Sequence, residues 1–195
     1  DLAALSALIA ELARPDDTWA FCGSLPPGAP ADTYARLVAQ AKERGATVLL
    51  DTSGAPLRRG LAAQPFAIKP NTEEAAETLD RPVAGDVGHA QAARDLAAFG
   101  IPVVCLTRGA AGLVLSWHGE LVLARPPEVS AASPVGAGDA TLAGIIWALN
   151  DGCDAEEAAR CAVACGAAAA MQEGTGVGDR NLIDALRPQV FVTRP

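Results

Sequence analysis

The chain has 195 residues, half of them hydrophobic, and a formal net charge of −8. That length suits one α/β domain, residues 1–195, with a sizeable core. The acidic balance argues against nucleic-acid binding, which needs a basic face. No apolar run is long and unbroken enough to span a membrane, and no charged segment followed by an apolar stretch marks a secretory signal.

In chain order, residues 2–14 show helical apolar spacing, and Thr18 to Cys22 read as a short buried strand. A turn-rich loop follows at 23–28. Residues 31–44 predict an amphipathic helix ending at Gly45, and 47–50 a strand with the loop Asp51-Thr52-Ser53-Gly54 at its end. Residues 56–63 suggest a short helix, 66–68 a short strand and 72–79 a helix. A further helix at 86–99 stops at Gly100. Strands are expected at 102–106, 113–117 and 121–124, with a Gly-rich turn at 107–112 and a hairpin turn at His118-Gly119. A helix runs from Gly138 to about Leu149. Another, 155–172, consists almost wholly of small residues, so it packs closely on the sheet or against a flat ligand. A helix at 179–186 and the segment 190–192 close the chain.

Strands alternating with helices predict a mainly parallel sheet covered on both faces, a three-layer α/β/α arrangement. Ligands in such sheets sit beyond the carboxyl ends of the strands. The loops 23–28, 51–54, 69–71, 107–112 and 133–139 all belong there.

The five cysteines are Cys22, Cys105, Cys153, Cys161 and Cys165, with no CxxC pair among them. His89 and His118 lack metal-ligand partners at a suitable spacing. Buried free thiols in a reducing cytoplasm are therefore expected.

The segment Ser133-Pro134-Val135-Gly136-Ala137-Gly138-Asp139 opens an apolar helix. A helix start offers unpaired N–H groups and the positive end of the macrodipole, and glycines let a phosphate approach that backbone. Asp139 could serve there as a base, or simply as a dipole-stabilised helix cap. No Lys-Ser/Thr follows, so this is not a Walker loop.

With the other loops added, the chain resembles the PfkB (ribokinase-like) carbohydrate kinases. Gly23-Ser24-Leu25-Pro26-Pro27-Gly28 looks like the family's GSLPPG segment, and Lys69-Pro70-Asn71-Thr72-Glu73-Glu74 like its KPNxxE segment. Thr107-Arg108-Gly109-Ala110-Ala111-Gly112 resembles its T-x-G-x-x-G nucleotide loop, and Val135 to Asp139 its VGAGD signature. Gly174-Thr175-Gly176-Val177 is similar to the segment that closes over the base. KPN, SLPPG and Gly-Thr-Gly look most like the hexose-phosphate branch, of the 1-phosphofructokinase and tagatose-6-phosphate kinase types.

The resemblance implies ATP-dependent phosphoryl transfer to a sugar-phosphate hydroxyl, with fructose 1-phosphate as the first acceptor to test. Asp139 would be the general base, and Gly136, Ala137 and Gly138 the anion hole. Asn71 and Glu74 would hold Mg²⁺ mostly through water. Thr107, Gly109 and Gly112 would line the nucleotide phosphates and ribose, while Ala168, Ala169 and Gln172 would lie near the adenine. For these last three, plain helix packing is an equal alternative. Ser24 would touch the sugar phosphate. Ser133, Val135 and the backbone near Gly174 match where some relatives hold a monovalent cation such as K⁺. Lys69 would help with phosphate charge or be a simple strand-end lysine.

Two departures are small: Cys22 stands where a serine often precedes GSLPPG, and Pro134 where threonine is common before VGAGD. A larger one is that the family's N-terminal strands, GG sugar-binding loop and β-sheet lid have no match here. The chain is therefore expected to be N-terminally truncated relative to the family, with Asp1 falling in the helix before the SLPPG strand. It is also expected to expose an apolar sheet edge, to self-associate as a homo-oligomer or be marginally stable, and to show little kinase activity alone, as a nucleotide-binding fragment would.

Overall fold

The structure is a computed structural model that describes residues 2–195. Asp1, expected in the first helix, lies outside the described residues. The elements run α1 (Leu2–Leu12), β1 (Thr18–Cys22), α2 (Thr33–Glu43), β2 (Thr47–Asp51), α3 (Gly54–Leu61), β3 (Ala67–Ile68), α4 (Thr72–Leu79) and α5 (Gly85–Ala97). Then come β4 (Val103–Thr107), β5 (Leu113–Trp117), β6 (Glu120–Arg125), α6 (Ala137–Asn150), α7 (Ala155–Ala170), α8 (Arg180–Leu186) and β7 (Phe191–Thr193). Each expected element forms, with ends displaced by a residue or two. Short 3-10 turns occupy 109–111 and 187–189.

The strands form one seven-stranded sheet in the order β1-β2-β3-β4-β5-β6-β7. β1 to β4 pair in parallel, whereas β5, β6 and β7 each pair antiparallel with the strand before. The mainly parallel expectation thus holds for the first half, and the whole sheet is mixed. The reason is connection length. The α2, α3 and α4–α5 crossovers return the chain to the same end, while the short links after β4 and β5 can only reverse it. At the β5–β6 turn both His118 (φ 49°) and Gly119 (φ 90°) take positive φ, as a two-residue hairpin that follows the strand twist requires.

The pleat sends alternate residues to opposite faces. Val48, Leu50, Ile68, Val104, Leu106 and Val114 pack under α1 to α5 around Ile9, Leu37, Leu57 and Leu96. Leu49, Val103, Cys105, Leu113, Leu115 and Val122 face α6, α7 and α8, against Leu142, Ile145, Ala158 and Ala162. This gives the expected three layers. Val48, Leu49 and Leu50 are all fully buried, which explains why these strands read as continuous apolar runs. β1 is the edge, with Thr18, Ala20 and Cys22 exposed and Trp19 and Phe21 partly so.

Among the described residues, no helix is long and apolar enough to cross a membrane. The cysteines are all free. Cys105, Cys161 and Cys165 are buried as expected, but Cys153 is half-buried and Cys22 is exposed. Cys22 ends the edge strand, which has a neighbour on one side, so the expectation of a buried thiol there is corrected.

Candidate active site

The carboxyl ends of β1, β2, β3 and β4 lie at one end of the parallel half, so the loops that follow them are neighbours. The β1 loop is held by backbone: Gly23 N–H donates to Asp51 O at 2.8 Å, and the Thr52 hydroxyl donates to Gly23 O at 2.9 Å. Ser24 sits beyond this anchor, exposed.

At the end of β3, Lys69 is buried (7% exposed) and its Nζ lies 3.0 Å from Asp51 Oδ2. Burial raises the Asp51 carboxyl above the ordinary range; the Lys69 ammonium opposes this, and the nearby Asp139 carboxylate adds to the rise. Lys69 is therefore a buried, paired cation at the strand end. Asp51 was missed as a site residue in the sequence. Its signal was a carboxylate closing a fully apolar strand.

Asn71 caps α4. Its Oδ1 accepts from Glu74 N–H at 2.9 Å, and Glu74 Oε2 accepts from Asn71 N–H at 2.9 Å, a reciprocal capping box. The pair singled out as metal ligands thus has a structural task that engages one oxygen of each side chain. Burial raises the Glu74 carboxyl, the Asn71 N–H opposes this, and the Asp51 charge raises it further. Among the described residues no cluster of three His, Cys, Asp or Glu could cage a metal. Two neighbouring carboxylates that repel each other, with one Glu74 oxygen outside the cap, instead fit a hydrated Mg²⁺ that brings its own water and phosphate ligands.

The 107–112 loop is tied to this turn. Thr107 N–H donates to Pro70 O at 2.9 Å, and Asn71 and Thr107 form a parallel bridge. Gly112 has φ +88°, and a Cβ there would meet Ala124 O at 2.0 Å, so only glycine lets the loop lie on β6.

Gly136, with φ 79°, caps the start of α6. Ala140 N–H reaches back to Gly136 O at 2.9 Å, and Ala137 N–H makes a long contact to Pro134 O at 3.3 Å; the other amides of the first turn point out of the helix end. Beneath them sits Lys69: a Cβ on Gly138 would lie 3.3 Å from its Nζ. The helix start and the ammonium therefore place two sources of positive potential at one point. Asp139 is in this first turn, exposed, on the side where its charge reaches Asp51.

A cleft of about 1080 Å³ opens beside the helix start. Asn71, Thr107, Gly109, Gly112, Ala137 and Gly138 line it together, along with Ser133, the segment Pro126 to Val129, and Val163, Gly166, Ala167 and Ala170 of α7. Glu74, Gly136, Asp139 and Ser24 are not among its lining residues. Nor are Ala169 and Gln172. Ala169 is buried against Ala140 and Cys165, which is the packing alternative expected for it. The Gln172 amide donates back to Ala168 O at 3.3 Å. The cleft-facing side of α7 is one residue out of phase with the expected one. Ser133 Oγ accepts from Val135 N–H at 3.2 Å. The Pro126 to Val129 wall went unnoticed because its single carboxylate, Glu128, belongs to no glycine or charge pattern that would mark a site.

The profile described as pfkB family carbohydrate kinase matches residues 4–181. The chain belongs to the pfkB family of carbohydrate kinases. It is 48% identical over 165 residues to a 1-phosphofructokinase of Rhodobacter capsulatus, covering 84% of this chain and 52% of that relative. To a tagatose-6-phosphate kinase of Staphylococcus epidermidis it is 32% identical, covering 93% of this chain and 60% of that one. The fold superposes on phosphofructokinase-2 of Escherichia coli in complex with potassium with a TM-score of 0.90 at 25% identity, covering 96% of this chain and 61% of that one. The chain thus spans about half to three-fifths of these pfkB relatives. Family membership agrees with the motif resemblance, and all five pfkB-like segments named from the sequence fall within the matched span.

Proposed function

We propose that this chain is the nucleotide-binding and catalytic part of an ATP-dependent sugar-phosphate kinase, with fructose 1-phosphate as acceptor. The observation that carries the reading is the start of α6: its amides stand over the buried Lys69, with the cleft on one side and Asp139 and Asp51 on the other. A phosphoryl group held at such a point has its nucleotide on one side and a base for the acceptor on the other.

In this reading Asp139 takes the proton of the acceptor hydroxyl as the oxygen attacks the γ-phosphorus, and the leaving oxygen departs with ADP. The amides of Gly136, Ala137 and Gly138 hold the charge of the transferring group, and Lys69 adds to their potential. Positioning and charge neutralisation supply most of the rate in phosphoryl transfer. Thr107, Gly109 and Gly112 hold the nucleotide. Mg²⁺ bound with ATP would neutralise phosphate charge, with Glu74 and Asn71 holding it mostly through water. Ser133, Val135 and the Gly174 backbone are the proposed monovalent-cation position. Ser24 would meet the sugar phosphate, and the remaining sugar contacts would come from a part of the family fold that this chain does not match. The names of the R. capsulatus and S. epidermidis relatives support a hexose-phosphate acceptor, with tagatose 6-phosphate as the alternative.

The test joins this chain to the N-terminal part of the R. capsulatus 1-phosphofructokinase and follows ADP release with each sugar phosphate. Turnover with fructose 1-phosphate is expected. Asp139→Asn should abolish it, by about 10³-fold or more, while leaving ATP affinity largely unchanged. Retained turnover in that variant would reduce Asp139 to a helix cap.

A further inference from the structure

We propose that the first turn of α5 is a clamp for the nucleotide loop, with Asp86 and His89 as its positioning residues. The inference rests on reading 107–112 as the nucleotide loop. Asp86 and His89 themselves line no part of the cleft, whereas Thr72, Thr107 and Arg108, which they hold, do.

Asp86 uses both carboxylate oxygens. Arg108 Nη1 donates to its Oδ1 at 2.6 Å, and Arg125 Nη2 donates to its Oδ2 at 2.7 Å. Arg108 opens the loop, and Arg125 ends β6, just before the Pro126 to Val129 wall of the cleft. One side chain on α5 thus holds the floor of the cleft and one of its walls. The Arg108 side chain is 9% exposed although Asp86 is 46% exposed, so the guanidinium is enclosed and its partner is at the rim. Its Nη2 donates to Ala111 O at 3.1 Å, and its main-chain N–H donates to Gly112 O at 2.8 Å. An arginine in a nucleotide loop invites assignment to phosphate. Here both terminal nitrogens donate to protein acceptors, and the buried Nε has no partner, so Arg108 acts as a strut that fixes the curve from Arg108 to Gly112.

His89, one turn along the same helix, is buried. Its Nδ1 lies 2.6 Å from Gly85 O, and a carbonyl accepts only, so Nδ1 carries the hydrogen. In the neutral ring Nε2 then accepts from the Thr72 hydroxyl, 3.0 Å away. Thr72 follows Asn71 in the α4 cap, and its hydroxyl lies 3.5 Å from Thr107 O. The ring therefore braces the junction where the capping turn meets the nucleotide loop. An exposed ion pair such as Asp86–Arg125 adds little to global stability. The arrangement makes physical sense as local order: it shapes the loop before any ligand arrives, which lowers the ordering cost of binding.

The test is residue-resolved amide hydrogen exchange on the 195-residue chain and its Asp86→Asn, Asp86→Glu and His89→Gln variants, followed by titration with Mg-ATP. Asp86→Asn should speed exchange at Arg108 and Gly112 by about tenfold, the worth of one charge-assisted hydrogen bond. Leu106 and Leu115 in the flanking strands should be unchanged, and Asp86→Glu should restore much of the protection. His89→Gln should act at Thr107. Apparent ATP affinity should fall in parallel with loop protection. Unchanged loop exchange in Asp86→Asn, or an equal rise across the whole sheet, would overturn the clamp. A wild-type chain whose 107–112 amides ignore ATP counts against the nucleotide reading instead, and the exchange result without ligand still decides the clamp.

Discussion

Lys69 and Asp51 show how one buried pair can serve both fold and site. Both side chains are largely out of water, so removing one leaves an uncompensated charge. Lys69→Met is expected to destabilise the chain by roughly 3 kcal/mol, read from urea unfolding. Pairing it with Asp51→Leu should recover most of that loss, since the desolvation penalty disappears with the second charge. If the single variant is neutral, the pair is not a buried ion pair in solution. The pH dependence has two opposing signs. Burial raises Asp51 and Glu74, so their contribution to stability is present below the unfolded carboxyl range and is lost as pH rises through their raised folded values. Hydrogen bonds from Arg108, with Arg125 adding, lower Asp86; its contribution is present above the unfolded range and is lost as pH falls through its lowered value. In the proposed reading Mg-ATP binding uses an ionised Glu74, so affinity should begin to fall at a higher pH than an ordinary carboxylate would set. Calorimetric titrations from neutral pH downward test this. Affinity that falls only where ordinary carboxylates protonate would separate Glu74 from the cation.

At the scale of elements, the contact of α6 with α7 sets where the proposed anion hole lies. Gly144 allows it, because a Cβ there would come within 2.7 Å of Ala162 Cα and Cys161 O. Gly166 does the same one turn from the helix start: a Cβ there would lie 2.4 Å from Thr141 Oγ1, whose hydroxyl donates to Ala137 O at 2.8 Å. Gly166→Ala is expected to cost about 1–2 kcal/mol, overpacking offset by better helix propensity, and to weaken ATP binding by shifting Ala137. Adding Thr141→Ala removes the colliding atom and should return part of both losses, a coupling that a double-mutant cycle measures. Strict additivity would show that the two side chains do not meet. The small-residue character of this helix was plain in the sequence, as were the choices it posed, sheet packing or a flat ligand. Both occur. Ala158 and Ala162 pack inward while Val163, Gly166, Ala167 and Ala170 face the cleft. Composition cannot give the phase of a helix whose faces are equally small, which is why Ala169 stayed open between a base and plain packing.

For the whole molecule, the layers and the first four strands were legible because crossover helices and apolar runs dictate them. The motif loops were legible because glycine, proline and charge mark them. The antiparallel placement of β7 beside β6 was not, since a long connection through three helices leaves its direction open, and neither were contacts such as Asp86 with Arg108 that join distant turns. The edge at β1 carries the last consequence. Trp19 and Phe21 are half-buried on a strand whose one described neighbour is β2, and Leu5, Leu8 and Leu12 of α1 are 44–48% exposed. An unpaired strand edge with nearby apolar side chains is a template for association. Sedimentation velocity of the chain should show association that grows with concentration. Leu8→Lys together with Leu12→Glu should reduce it without lowering the unfolding midpoint, because both side chains point largely to water. If the double variant associates as the parent does, the β1 backbone edge is the contact, and a charge at Ala20 on its exposed face should break it instead. A chain that stays monomeric across the concentration range would show that neither surface is sticky.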